Sequence, residues 1–355
     1  MGNNRKYQID FLKIFATFMV IILHILLKGA LKMEMGTSQY LQSWGLEFFC
    51  MPAVNIYAII TGFLCYEKNN SIKRLFFFYT KTLFYSLVCF GIFAFIFPSH
   101  IFNIISFTQS LFIISNNSYW YLTAYMITML LSPLLNAGIE KITQGQFKSI
   151  IFSLLFMMVA IPFFTANKAP YLNGGYNALW LIVLYMVGAY IAKYTNIESI
   201  KRNRWKFVIT ILICVICSTL IRFFGDFKEI IYFTEIGNQI LDYNTPFGFI
   251  QAVSMFLLFL SFDIKNEKVQ KVIRWFSNKT FWIYIVHCGP ITLTAITGVV
   301  ATLLNLNKNI IIIDVLFLSG IVFILSLILC VIIEFFYKIL CNILRKCFKK
   351  TQDMV

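Results

Sequence analysis

The chain of 355 residues is 59% hydrophobic and only 13% charged, with a net charge of +15 and a mean hydropathy of +0.78. A soluble globular domain carries about 25% charged residues, so a water-soluble enzyme, a disordered chain and a disulfide-framed secreted protein are all excluded. The 39 phenylalanines exceed what one soluble core can bury, whereas lipid solvates such rings.

The apolar runs are continuous and roughly 20 residues long, not short and alternating, which points to membrane-spanning helices and away from a β-barrel. The expected fold is all-α: a polytopic integral membrane protein with about ten transmembrane helices. Residues 1–345 are expected to form one membrane domain, followed by a short basic tail at 346–355.

The first span, 9–28, is the densest in polar groups. At about 100° per residue, Asp10, Lys13, Thr17 and His24 fall on one face of the helix. Lys13 and His24 point within about 20° of each other, roughly 16 Å apart along the axis. Ionisable groups inside a span are costly, so the stripe reads as a lined ligand path. The plainer alternative is an interfacial Asp10–Lys13 pair and a packing histidine.

The second span, 46–66, is followed by a third at 75–97, preceded by Lys73 and Arg74 and carrying Lys81 about 10 Å deeper. Segment 99–118 is too polar to span and is expected to be a loop with a short interfacial helix near Ile101–Ile114. Trp120, Tyr121 and Tyr125 open the fourth span, 119–138, as an aromatic belt or, for Trp120, as part of an acceptor site. The fifth to eighth spans follow at 148–166, 178–194, 206–224 and 246–262. Between the last two lies a polar loop, 225–245, containing Asp226, Glu229, Glu235 and Asp242.

The ninth span, 280–303, places Tyr284 and His287 on one face, either as a site or as a helix–helix hydrogen bond. The tenth is 309–337. Arg222 and His100 are expected to be interfacial anchors. The nine cysteines sit mostly in apolar runs without a repeating spacing, and Cys214-x-x-Cys217 lacks partner ligands nearby, so no disulfide framework and no metal are expected. No cleavable signal peptide is expected, because Ile9–Leu27 is too long for one.

Basic residues divide 22 to 5 between alternate loops. The positive-inside rule then puts both termini in the cytoplasm and spends the net charge on topology and anionic lipid contact. The basic residues are scattered over short segments, so no nucleic-acid partner is expected.

Five stretches, in order, resemble the acyltransferase-3 family of integral-membrane acyltransferases. IDFLKIFATFMVIILH (9–24) is similar to its Asp-x-x-(Arg/Lys)-x10-His opening, with Asp10, Lys13 and His24 in register. PAVNIYAIITGFL (52–64) resembles a motif ending in Ser-Gly-Phe, here Thr61-Gly62-Phe63. SYWYLTAYMITMLLSPLL (118–135) resembles a Trp-x-Leu…Pro helix. LDYNTPFGFIQAVSMFLLF (241–259) and SNKTFWIYIVH (277–287) resemble two late motifs, the second with Tyr284-x-x-His287. The chain departs from the family in having Lys13 where many members have Arg, Asn55 where many have Pro, and no Arg-x-x-Arg in the third helix.

The resemblance implies transfer of an acyl group, usually acetyl, from cytoplasmic acyl-CoA to a carbohydrate hydroxyl in the cytoplasmic membrane of a bacterium. Lys13, Lys73, Arg74 and Lys81 would meet the CoA head, with Asp10 orienting Lys13. His24 would be the general base, and Thr17, Trp120, Tyr284 and His287 would approach the acceptor. The acceptor would meet the membrane domain directly or through a homo-oligomer or a separate extracytoplasmic partner. A transporter or flippase of a lipid-linked sugar or small anion, using the same stripe as a relay, is the alternative.

Overall fold

In hydrocarbon, backbone groups must be satisfied within the structure, and a chain this apolar meets that demand with helices. The computed structural model describes residues 5–26, 34–67, 72–96, 104–227, 230–289, 292–293 and 311–352, and among these there is no strand. The helices are α1 (Tyr7–Leu26), α2 (Ser38–Cys50), α3 (Ala53–Cys65), α4 (Ile72–Ile96), α5 (Ile104–Leu111) and α6 (Trp120–Lys141). They continue with α7 (Gln144–Phe164), α8 (Ala178–Tyr194), α9 (Ile197–Arg202), α10 (Arg204–Asp226) and α11 (Ile231–Gln239). The last are α12 (Pro246–Leu260), α13 (Glu267–Ser277), α14 (Thr280–His287) and α15 (Ile311–Gln352).

Seven stretches are long and apolar enough to cross a membrane: α1, α2 with α3, α4, α6, α7, α10 and most of α15. Two expected spans, α8 and α12, are apolar but shorter, at 17 and 15 residues. Of the ninth, only the first part falls within the described residues, where α14 covers Thr280–His287. Lys28, Lys32, Lys68, His100, Lys228, Glu229 and Lys308 lie outside the described residues.

The second span is longer than expected and is broken, with α2 and α3 meeting at Met51–Pro52, where proline cannot donate to the helix ladder. Two further prolines show how freed carbonyls are recovered. Pro133 inside α6 leaves the Met129 carbonyl without its usual donor, and the Ser132 hydroxyl donates to it at 2.8 Å. Pro162 does the same to the Met158 carbonyl in α7, beside a π-helical turn at Phe156–Ala160. Here the Asn244 side chain donates at 2.9 Å and so binds α7 to the segment before α12.

The segment 225–245, expected as loop, contains α11. Gly225 and Gly237 let α10 and α11 touch, since a Cβ on Gly225 would lie 2.8 Å from the Gly237 Cα. Arg222, expected as an interfacial anchor, instead ties three helices. It donates to the Gly237 carbonyl at 2.9 Å, pairs with Asp226 and lies 4.8 Å over the Trp44 ring of α2. The short helix expected within 99–118 is present as α5, whose Ser110 carbonyl accepts from Ser86 of α4 at 3.0 Å.

Close approach of α3 and α8 sets the middle of the bundle. Gly62 of α3 lies against the Tyr185 carbonyl of α8, and Gly188 of α8 lies against the Ile59 carbonyl of α3. Small residues at a crossing are what lets two membrane helices bring their backbones together.

Basic side chains tie neighbouring helix ends together. Arg5 donates to Asn278 at 3.2 Å, Lys201 pairs with Asp263 at 2.8 Å, and Lys193 donates to the Ile139 carbonyl at 2.8 Å. Lys168 and Asp242 form a separate pair at 3.1 Å beside the Pro170–Gly175 turn. Burial pushes the Asp242 carboxyl up from the usual carboxylate range, while Lys168 opposes that shift.

Candidate active site

Helix α1 carries the polar face that the 3.6-residue period dictates. At its basic end, Asp10 is only 4% exposed and acts as a hub. It accepts from Lys13 Nζ at 3.1 Å, from the Ser277 hydroxyl at 2.8 Å and from Arg5. The carboxylate thus holds Lys13 in place and fastens α1 to the end of α13. A buried carboxylate with three donors is satisfied as an anion.

One turn further, the Thr17 hydroxyl donates to the Lys13 carbonyl at 2.8 Å, and Tyr57 of α3 donates to the same carbonyl at 2.8 Å. The two hydroxyl oxygens also lie 2.5 Å apart, and because each hydroxyl has a single proton, a bond between them takes the place of one of the two to the carbonyl. Together Thr17 and Tyr57 bound a cavity of about 240 Å³ that extends to His24, two turns along the same face. The helix period thus places Thr17 and His24 on one wall, with Lys13 and Asp10 below Thr17 and outside the lining.

The opposite walls are aromatic. Trp120, the first residue of α6, stacks on Tyr243 with centroids 5.6 Å apart and planes at 26°, and Tyr176 packs on both. Tyr243 is held by its backbone: Asn55 of α3 donates to its carbonyl at 2.8 Å while accepting from the Trp180 indole at 2.9 Å. A proline at position 55 would make neither bond. Tyr121, Phe281 and Tyr284 complete this side, with Tyr284 and Tyr121 packed edge to face.

Glu47 of α2 also faces the cavity. It is 4% exposed, and its Oε2 has no hydrogen-bond partner among the described residues. Such a group is expensive to leave unmatched, so a polar ligand group in the cavity would lower its cost.

His287 stands behind Tyr284, 1% exposed, and does not line the cavity. Its Nδ1–H donates to the Ile283 carbonyl at 2.7 Å, and its ring centroid lies 5.4 Å from that of His24. The Cys288 sulfur is 3.3 Å from His287 Nε2 and 3.6 Å from His24 Nδ1.

Folding therefore brings together Thr17, His24, Trp120 and Tyr284 around one cavity, with His287 adjoining. Lys73 and Arg74 are exposed on the first turn of α4. Lys81 is engaged elsewhere, paired with Glu334 of α15 at 3.5 Å and 4.2 Å over the Trp282 ring. Its charge is matched by a carboxylate, which weakens the expectation that it serves a phosphorylated ligand.

Glu47, Tyr57, Tyr176, Tyr243 and Cys288 were not among the expected site residues. Glu47 was detectable, because it lies inside the expected second span and an intramembrane carboxylate carries a functional expectation. The others gave no local signal.

A histidine, a carboxylate and the hydroxyls of Thr17 and several tyrosines, set among aromatic faces, suit a polar, hydroxylated molecule, with proton transfer at the imidazole. A family model described as an acyltransferase domain matches residues 6–335. No curated protein and no solved structure matches the chain.

Proposed function

The chain belongs to this acyltransferase family, and on that premise we propose that it moves an acyl group, acetyl in the first instance, from cytoplasmic acyl-CoA to a hydroxyl of a cell-surface carbohydrate or its lipid-linked precursor. The observation that carries this reading is the continuity of one face of α1. It runs from the Asp10–Lys13 pair at the basic end to Thr17 and His24 on the cavity wall.

In this reading His24 accepts the proton of the attacking hydroxyl. The oxygen forms its bond to the thioester carbonyl, and the CoA sulfur leaves and regains a proton. Lys13, fixed by Asp10, attracts the anionic donor, with Lys73 and Arg74 adding exposed positive charge. The aromatic faces of Trp120, Tyr176 and Tyr243 border the acceptor, and Glu47 accepts one of its hydroxyls. No metal enters this step.

The test is release of CoA and transfer of labelled acetyl from acetyl-CoA by the purified protein in detergent, with lipid-linked saccharides as acceptors. A transporter using the same stripe has no reason to cleave a thioester. Intact donor after prolonged incubation with folded protein would sink the reading.

Two further outcomes are expected. Lys13→Ala should raise KM for acyl-CoA about tenfold or more, because one charge-assisted contact to an anion is worth about 1.5–3 kcal/mol. Lys13→Arg should keep much of the activity, since the charge remains and gains a bidentate fork. Equal KM values for wild type and Lys13→Ala would reduce Lys13 to a topology signal.

For orientation, a reporter placed after Val355 or near Asn203 should read cytoplasm, and one near Asn117 or Asn173 should read outside. An external signal from the Val355 fusion would reverse the assignment.

A further inference from the structure

We propose that His24, His287 and Cys288 form a binding site for a divalent transition-metal ion of the zinc class, and that occupancy silences acyl transfer. The silencing rests on the reading of His24 as general base; the binding does not.

The donor set is the first argument. Two imidazoles and a thiol are borderline-to-soft ligands that favour zinc-like ions and offer little to magnesium or calcium, which take oxygen. The three donor atoms lie within 4.8 Å of one another.

Geometry is the second. Zinc–sulfur and zinc–nitrogen bonds of about 2.3 and 2.0–2.1 Å, set at a tetrahedral angle, put sulfur and nitrogen roughly 3.5–3.6 Å apart. The sulfur of Cys288 is 3.3 Å from His287 Nε2 and 3.6 Å from His24 Nδ1. A modest rotation of the half-buried His24 ring closes the set.

Orientation is the third. The Ile283 carbonyl accepts the Nδ1–H of His287 at 2.7 Å, so the lone pair sits on Nε2, the nitrogen facing the sulfur. A histidine whose second nitrogen is anchored to a carbonyl is the usual arrangement around protein-bound metals.

The cavity supplies the fourth side, because His24 lines it and a water or a ligand oxygen can reach the ion from there. Binding displaces the proton of the Cys288 thiol, with the sulfur pair becoming the metal bond, and so weakens as pH falls. With the His24 lone pair engaged, the ring can no longer accept a hydroxyl proton.

The experiment uses the full chain, purified in detergent and titrated with Co²⁺ as a spectroscopic substitute for Zn²⁺. A thiolate-to-cobalt charge-transfer absorption should appear and saturate, be displaced by Zn²⁺, and be absent in Cys288→Ser eluting as a monodisperse species like wild type. His287→Gln should weaken Co²⁺ binding by more than the 10–100-fold that loss of an outer-shell partner costs. Absence of the absorption, or its survival in Cys288→Ser, overturns the site.

A second arm measures turnover. Zn²⁺ should inhibit wild type reversibly, with recovery on chelation, and should no longer inhibit Cys288→Ser relative to that variant's own metal-free rate. Equal inhibition of both proteins would overturn the silencing. Binding in wild type without inhibition would uphold the site and remove His24 from the base role.

Discussion

His24→Gln is expected to lower acyl transfer by about 10²- to 10⁴-fold while the protein remains folded, the usual cost of losing a general base. His24 lines the cavity on the face of α1 that also carries Thr17. An imidazole is suited to take a proton from an attacking hydroxyl, which a neighbouring hydroxyl is not. Glutamine fills similar space and keeps hydrogen-bonding capacity, but it cannot take a proton from the attacking oxygen.

The pH profile gives an independent readout. Wild-type rate should fall as pH drops through the titration of the imidazole, because the protonated ring is no longer a base. The residual rate of His24→Gln should lose that limb. The measurement is labelled acyl transfer by the two proteins at matched monodispersity across pH. Near-wild-type turnover by His24→Gln would take the role away from His24 and leave His287, whose ring is 5.4 Å distant, as the other imidazole beside the cavity among the described residues.

Gly62→Ala is the second large effect, and it falls on the fold. A Cβ at Gly62 would lie 1.9 Å from the Tyr185 carbonyl oxygen, and one at Gly188 would lie 2.1 Å from the Ile59 carbonyl oxygen. Backbone cannot swing aside as a flexible side chain can, so α3 and α8 must separate. Overpacking of this kind costs about 1–3 kcal/mol, and contact with backbone puts this site at the upper end or beyond.

Separation would also displace Asn55 and Tyr57, the α3 residues that fix Tyr243 and Thr17 around the cavity. A lower melting temperature in detergent and loss of monodisperse protein are expected. Gly91→Ala and Gly138→Ala are the controls, since a Cβ at either position meets nothing within 4 Å. These should be neutral or slightly stabilising, as alanine favours helix over glycine by roughly 1 kcal/mol. A Gly62→Ala protein that melts with the controls would show that the crossing tolerates the extra atom.

The glycine result also reinterprets a motif. Thr61-Gly62-Phe63 reads in the sequence as a signature of relatedness, and its glycine turns out to be a contact point between helices. Asn55 is comparable: where relatives have proline, this chain has an amide that holds the Tyr243 carbonyl and the Trp180 indole together. Arg222 shows the reverse case, for its position near a helix end suggested an interfacial anchor, and only the packing revealed Asp226, Gly237 and Trp44 around it.

By itself the sequence determined the features that depend on one segment at a time. Hydrophobic run length gives membrane helices because lipid forbids unsatisfied backbone, and the 3.6-residue period puts Asp10, Lys13, Thr17 and His24 on one face. Ordered motifs along α1, α3, α6, α12 and α14 carried the family. Tertiary structure alone decided what faces that stripe. Cys288 reaches His24 from 264 positions away, Glu47 and Tyr57 enter from α2 and α3, and Tyr176 and Tyr243 come from connecting segments. Lys81 is drawn off to Glu334. The reason is that helix periodicity fixes which residues share a face, while the neighbour of that face depends on where backbones can approach, and here that is set by glycines at the crossings and by side chains that recover the carbonyls freed by proline.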